Sequence, residues 1–178
     1  AAPWLSPALP PPFAVTPASP PQTFPFRYRV YGLRACATGP LPGLVPLSRR
    51  SVSDATDILL HWGRRPPASV LGRGPWRRLY ASEEEDEGGI PTFVLDRSAG
   101  EAPLLRLGYA DGTRFWLGPR GSEIWAWWPE RLTPEDASTY LLGPVLGYVL
   151  RLRGLHVLHG SAVSLAPAGQ GGAQALAM

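Results

Sequence analysis

Apolar and polar positions alternate from Phe26 onward: Phe26, Tyr28, Val30 and Leu33 interleave with Arg27, Arg29, Tyr31 and Arg34 up to Cys36. That period predicts a half-buried strand, and the ordered domain is expected to begin there. A turn-rich loop, Thr38 to Pro46, leads to a second expected strand, DILLHWG, over Asp57 to Gly63. After the loop RRPPASVLGRGP, Trp76 to Tyr80 reads as a short strand. The acidic run Glu83 to Glu87 before Gly88-Gly89 reads as a solvated loop in preference to a cation site. Three strand-like pieces follow, Pro103 to Ala110, Thr113 to Pro119 and Glu123 to Pro129. Asp111-Gly112 between the first two predicts a two-residue turn of the primed type, and Gly118 to Gly121 makes the next connection of an antiparallel meander.

At Thr133-Pro134-Glu135-Asp136 the period lengthens to that of a helix. Thr133 is suited to cap it, Pro134 to its first turn, and the two carboxylates to its amino-end dipole. Leu141, Leu142, Val145, Leu146, Val149 and Leu152 form an apolar stripe, so the helix is expected to run to about Arg153 and stop at Gly154. Gly143-Pro144 should kink or split it. The stripe predicts a helix packed on one face of the sheet, with Trp125, Trp127 and Trp128 partly beneath it.

The remaining pieces are Leu155 to Leu165, a glycine-rich turn over Ala166 to Gly172, and Ala173 to Met178, an apolar run suited to a strand buried on both faces. Residues 1–25 contain nine prolines and predict a flexible leader. The expected organisation is a leader (1–25), an N-terminal domain (26–154) and a final hairpin (155–178). Its class is α+β: a mostly antiparallel sheet, one long kinked helix, and a hairpin with which a nucleotide-binding core would begin.

Composition changes this picture mainly by exclusion. With 178 residues and 44% apolar content the chain can fill one real core. All 17 basic residues are Arg, spread along the chain, so the net charge of +3 comes without the basic cluster and interleaved aromatics of a nucleic-acid reader. The single cysteine, Cys36, excludes an internal disulfide framework and any zinc site on paired thiolates. No apolar run has the length of a membrane span and no signal peptide is visible, so no membrane partner and a cytoplasmic location are expected.

Candidate chemistry is sparse. His156 and His159 are three apart on an expected strand and so point to opposite faces, and His61 lies on a distant one, which argues against a shared metal site. Ser161 lacks the second glycine of a nucleophile elbow, and Cys36 sits in a strand interior that buries a thiol and keeps it inert. Gly169, Gly171 and Gly172 have no following Lys and no helix after them, so they read as a hairpin turn and not as a phosphate cradle.

In order, YRVYGLRA, PLPGL, DILLHWG, a meander, YLLGPVLGYVLRLRG and LHVLHGSAVSL resemble the region ahead of the nucleotide-binding core in bacterial proteins related to HPr serine kinase, including kinases found with lasso-peptide clusters. The resemblance covers residues 26–178 and is most specific over Leu141 to Leu165. It implies that a Walker A loop, the metal-binding acidic residue and the catalytic base would follow AQALAM, so ATP and Mg²⁺ are expected only for the full-length family member. The chain would then be a non-catalytic portion, inactive alone, that helps to hold a protein or peptide substrate. His159, beside the expected phosphate loop, is the one candidate catalytic residue. The alternative is a stand-alone binding module that grips an acidic peptide with Arg and Trp residues at the sheet edge.

Overall fold

The computed structural model describes residues 23–48, 55–71, 74–157, 162–165 and 174–177. Its first two strands, β1 (Phe26–Val30) and β2 (Leu33–Ala37), form a hairpin where the alternation predicts one strand. The chain reverses at Tyr31 (φ 50°) and Gly32 (φ 79°), both left-handed, as a two-residue primed turn requires. The step of three from Val30 to Leu33 already marks the reversal, because these residues pair across the turn and share one face.

The other strands are β3 (Ile58–Trp62), β4 (Trp76–Ala81), β5 (Phe93–Ser98), β6 (Leu105–Tyr109), β7 (Arg114–Leu117) and β8 (Glu123–Trp127), with a short helix α1 (Ala68–Leu71) between β3 and β4. They make one eight-stranded mixed sheet in the order β1-β2-β3-β8-β7-β6-β5-β4. Five neighbouring pairs are antiparallel, while β3 runs parallel to both β2 and β8. The meander from β4 to β8 therefore folds back until its last strand reaches β3.

Two local readings are corrected. β5 was not anticipated, because Asp96 and Arg97 interrupt its apolar run; Asp96 is nonetheless only 3% exposed. The β6–β7 connection is not a two-residue primed turn. Gly112 N–H donates to Tyr109 O, and only Gly112 (φ 96°) is left-handed, so Ala110-Asp111-Gly112 form a three-residue loop of type I turn plus bulge.

The helix starts as its residues predict. Thr133 Oγ1 accepts from Asp136 N–H at 3.2 Å, and Asp136 Oδ2 accepts from Thr133 N–H at 2.9 Å, a reciprocal capping box opening α2 (Pro134–Tyr140). Thr133→Ala should lower stability by about 1 kcal/mol in urea unfolding, and an unchanged midpoint would show that the cap contributes nothing. The expected break at Gly143-Pro144 is a π-helical turn, Leu141–Val145, that passes into α3 (Leu146–Leu152). Leu146 N–H donates to Leu141 and Gly143 carbonyls and passes over that of Leu142, which accepts the Tyr31 hydroxyl at 2.6 Å. The β1–β2 turn is thus tied to the irregular part of the helix. Gly154 (φ 80°) ends the helix.

Leu141, Val145, Leu146 and Val149 pack on the sheet face carrying Tyr28, Leu60, Leu107, Phe115 and Ile124. Each such fully buried side chain contributes about 1.5–3 kcal/mol of transfer free energy. The tryptophans divide. Trp125 and Trp127 project from the opposite face, where Trp125 packs with Leu104 and Trp116 under Val70 and Leu71 of α1. Of the three, Trp128 alone lies on the helix side, against Trp62 at 4.7 Å between ring centroids. Positions 125 and 127 must share a face on a strand, so the expectation of Trp packing beneath the helix holds for Trp128 alone.

β9 (Ala162–Leu165) and β10 (Gln174–Ala177) pair antiparallel as a separate two-stranded sheet. The architecture is α+β, and no helix among the described residues is long and apolar enough to cross a membrane.

Candidate functional site

A sheet with two ends has two edges, and this one treats them differently. Along β1, Leu47 N–H donates to Arg27 O at 2.7 Å, so the returning chain covers part of that edge. β4 is the other edge and runs for six residues, WRRLYA, with Arg77, Arg78, Leu79 and Tyr80 all exposed. Every second residue of β4 turns its N–H and C=O away from β5. A bulge between Arg78 and Tyr80 inserts Leu79 as an extra residue.

On the face away from the long helix, β4 to β6 carry a charge network. Asp96 receives Arg78 Nε and Arg106 Nε and Nη2, the last at 2.8 Å, and the Arg106 guanidinium lies 4.7 Å from the Trp76 ring centroid. Burial pushes the Asp96 pKa up, but the hydrogen bonds and charges of the two arginines outweigh it and hold the carboxyl below its ordinary value. On the helix-side face Arg77 stands directly opposite Arg97. Neither makes an ion pair among the described residues, although like charges in this cross-strand position repel. Both line a cavity of about 380 Å³ with Trp76, Ser98 and Gly100. An uncompensated cationic strand edge can bind an anionic strand.

The candidates read from the chain fall elsewhere. His159, Ser161, Gly169, Gly171 and Gly172 lie outside the described residues, as do positions 1–22 of the expected leader. His156 is exposed. Cys36 is buried as expected, with its sulfur 3.3 Å from Thr56 Oγ1. In the acidic run, Asp86 Oδ1 accepts from the Gly88 and Ile90 amides, so this carboxylate shapes the exposed β4–β5 loop. Among the described residues no group of three or more His, Cys, Asp or Glu side chains is arranged to hold a metal ion.

His61 has a setting that periodicity did not disclose. Its Nε2 is 2.7 Å from Glu123 Oε1, its ring stacks on Trp125 at 4.9 Å and 7°, and Phe24 meets it edge-on at 5.1 Å. A histidine beside a carboxylate is a candidate base, but this one is 6% exposed between two aromatic rings. It clamps the parallel strands β3 and β8. A larger cavity, about 510 Å³, lies beside β1 and β2 and is lined by Arg27, Arg29, Cys36 and Asp57. There Asp57 binds Arg34 through both carboxylate oxygens at 3.0 and 3.3 Å, which lowers its own pKa.

The Asp96 network was missed although it left a signal, an acid inside an otherwise apolar run with arginines on the strands to either side. Comparison with known proteins adds no relative: no family model, no curated protein and no solved structure matches this chain.

Proposed function

We propose that this domain is a partner-binding, non-catalytic portion of a protein related to HPr serine kinase, and that it holds an extended acidic peptide segment along β4. The observation that carries the binding reading is that β4 ends the sheet with no strand beyond it among the described residues, and that Arg77 beside it makes no ion pair among them. An added strand completes the ladder of backbone hydrogen bonds, and its carboxylates neutralise arginines that otherwise repel. The same arginines disfavour a second copy of β4 as the added strand, since two such edges bring Arg against Arg. The kinase relationship rests on the resemblance in element order, and no catalytic group among the described residues enters it.

The test is calorimetric titration of the purified chain with an acidic peptide of about eight residues, the upper part of ordinary strand length. Binding should weaken by roughly tenfold or more on Arg77→Glu and on raising the ionic strength. N-methylation of alternate peptide amides should abolish it in one register and spare it in the other. Indifference to both the charge change and the methyl pattern would remove the reading.

A further inference from the structure

The helix does not cover the whole of its sheet face. Val149 of α3 packs over Gly121, while Tyr148 and Leu152 on the same helix border a groove that continues toward β4. The groove has a volume of about 560 Å³, and its apolar wall is Leu79, Leu105, Tyr148 and Leu152. This is within the size range of sites that bury a compact ligand or an anchoring side chain.

Two devices serve this groove. Leu79, 40% exposed, shares the helix-side face with Arg77 by the regular alternation, and the bulge next to it sets Tyr80 opposite Leu95, on that same face beside it. Arg120 has φ 55°, a left-handed conformation costly for a residue with a Cβ. Its carbonyl accepts Arg153 Nε at 3.1 Å, and Arg153 Nη2 also donates to Asp57 O at 2.8 Å, so the tertiary structure holds the strained residue in place. Arg120 and Arg97 line the rim, and Glu101 is the one carboxylate among the lining residues. An apolar floor under a rim of net positive charge selects an apolar side chain with an acid close by.

Resting on the edge-strand reading above, we propose that the groove seats one large apolar side chain of the strand added to β4, with a carboxylate two residues from it held by Arg97 and Arg120. The spacing follows from the pleat: on an added strand only residues two apart share the face that looks into the groove. The segment recognised is therefore acidic–x–aromatic–x–acidic, with the aromatic facing the helix side. Leu79 and Arg97 lie at the junction of edge and groove and would touch the anchor and the acid respectively.

The experiment uses the full chain and a fluorescein-labelled peptide, Ser-Glu-Thr-Phe-Thr-Glu-Ser, read by anisotropy. Phe→Ser in the peptide should raise Kd by roughly tenfold or more, as for a buried anchor, and moving Phe by one position should do the same. Leu79→Asp, at an exposed position, should remove the preference for Phe over Ser while circular dichroism shows the fold intact. If Phe and Ser peptides bind equally while N-methylation still abolishes binding, the edge reading stands and the groove assignment fails. If neither substitution nor methylation matters, both fail. A Leu79→Asp variant that keeps the full Phe preference also overturns the groove assignment.

Discussion

Gly121→Ala is expected to be among the most damaging single-methyl additions to this domain. Gly121 has φ +64°, and a Cβ there would lie 2.7 and 2.8 Å from the two γ-methyls of Val149, which is fully buried. Left-handed backbone costs an alanine about 1–2 kcal/mol, and forcing a methyl into a packed core a further 1–3 kcal/mol or so. The total is about 2–5 kcal/mol. Gly154→Ala separates the two effects, because Gly154 is also left-handed (φ +80°) but a Cβ there meets nothing within 4 Å. It should cost only the backbone part, about 1 kcal/mol. Denaturant unfolding of both variants decides the matter: equal losses would mean that Val149 does not press on Gly121. Combining Gly121→Ala with Val149→Ala should cost less than the two single changes summed, since the second removes the methyls that the first strikes.

The second large effect is expected from removing both arginines that meet Asp96. Asp96→Asn alone leaves Arg78 and Arg106 with side chains 52% and 26% exposed, able to return to water. Arg78→Ala with Arg106→Ala instead strands a carboxylate whose side chain is 4% exposed, and should cost about 3 kcal/mol at neutral pH, the lower end for a broken buried pair. Its pH dependence has a defined sign. In the native domain the folded pKa lies below the unfolded one, so the contribution of Asp96 is complete above the ordinary carboxylate value near 4. It is lost as pH falls through the depressed folded value. In the double variant burial acts alone and raises the pKa, so the penalty is largest at neutral pH and shrinks toward pH 4. Urea midpoints at both pH values measure this. A gap between native and variant proteins that does not narrow on acidification would show that Asp96 is not the stranded charge.

The same residues link stability to the proposed binding. The Asp96 network holds β4 to β5 and β6 on one face, while Arg77, Arg97 and Arg120 on the other are left for a partner. The edge strand is secured by internal charge pairs and offered outward by unpaired ones. A peptide bound at β4 should accordingly raise the unfolding midpoint by mass action without altering the acid limb that Asp96 sets.

What could be read along the chain was whatever depends on neighbours a few residues away. The Thr133 cap, the interruption at Gly143-Pro144 and the Gly154 stop each follow from a few consecutive side chains, and all appear, while the reciprocal bond from Asp136 and the π form of the interruption are seen only in the structure. Strands β3, β4, β6, β7 and β8 were visible for the same reason, because their alternation is local. β5 was hidden by Asp96, whose burial is possible only once Arg78 and Arg106 arrive from strands on either side. The hairpin at Tyr31-Gly32 was hidden because alternation continues through a two-residue turn with only a phase slip to betray it. His159, the one catalytic candidate, lies outside the described residues.

By itself the amino-acid order determined the kind of protein: an α+β domain with a capped, interrupted helix laid on a largely antiparallel sheet, basic through arginine alone. Tertiary structure decided the rest. It placed β3 between β2 and β8, sent Trp125 and Trp127 to the face away from the helix, and left β4 as the last strand of the sheet among the described residues, beside an arginine-rimmed groove. The physical reason is range. Caps, turns and pleat alternation are settled by contacts within a few residues, whereas strand order, and so which edge stays unpaired, depends on contacts between residues tens of positions apart.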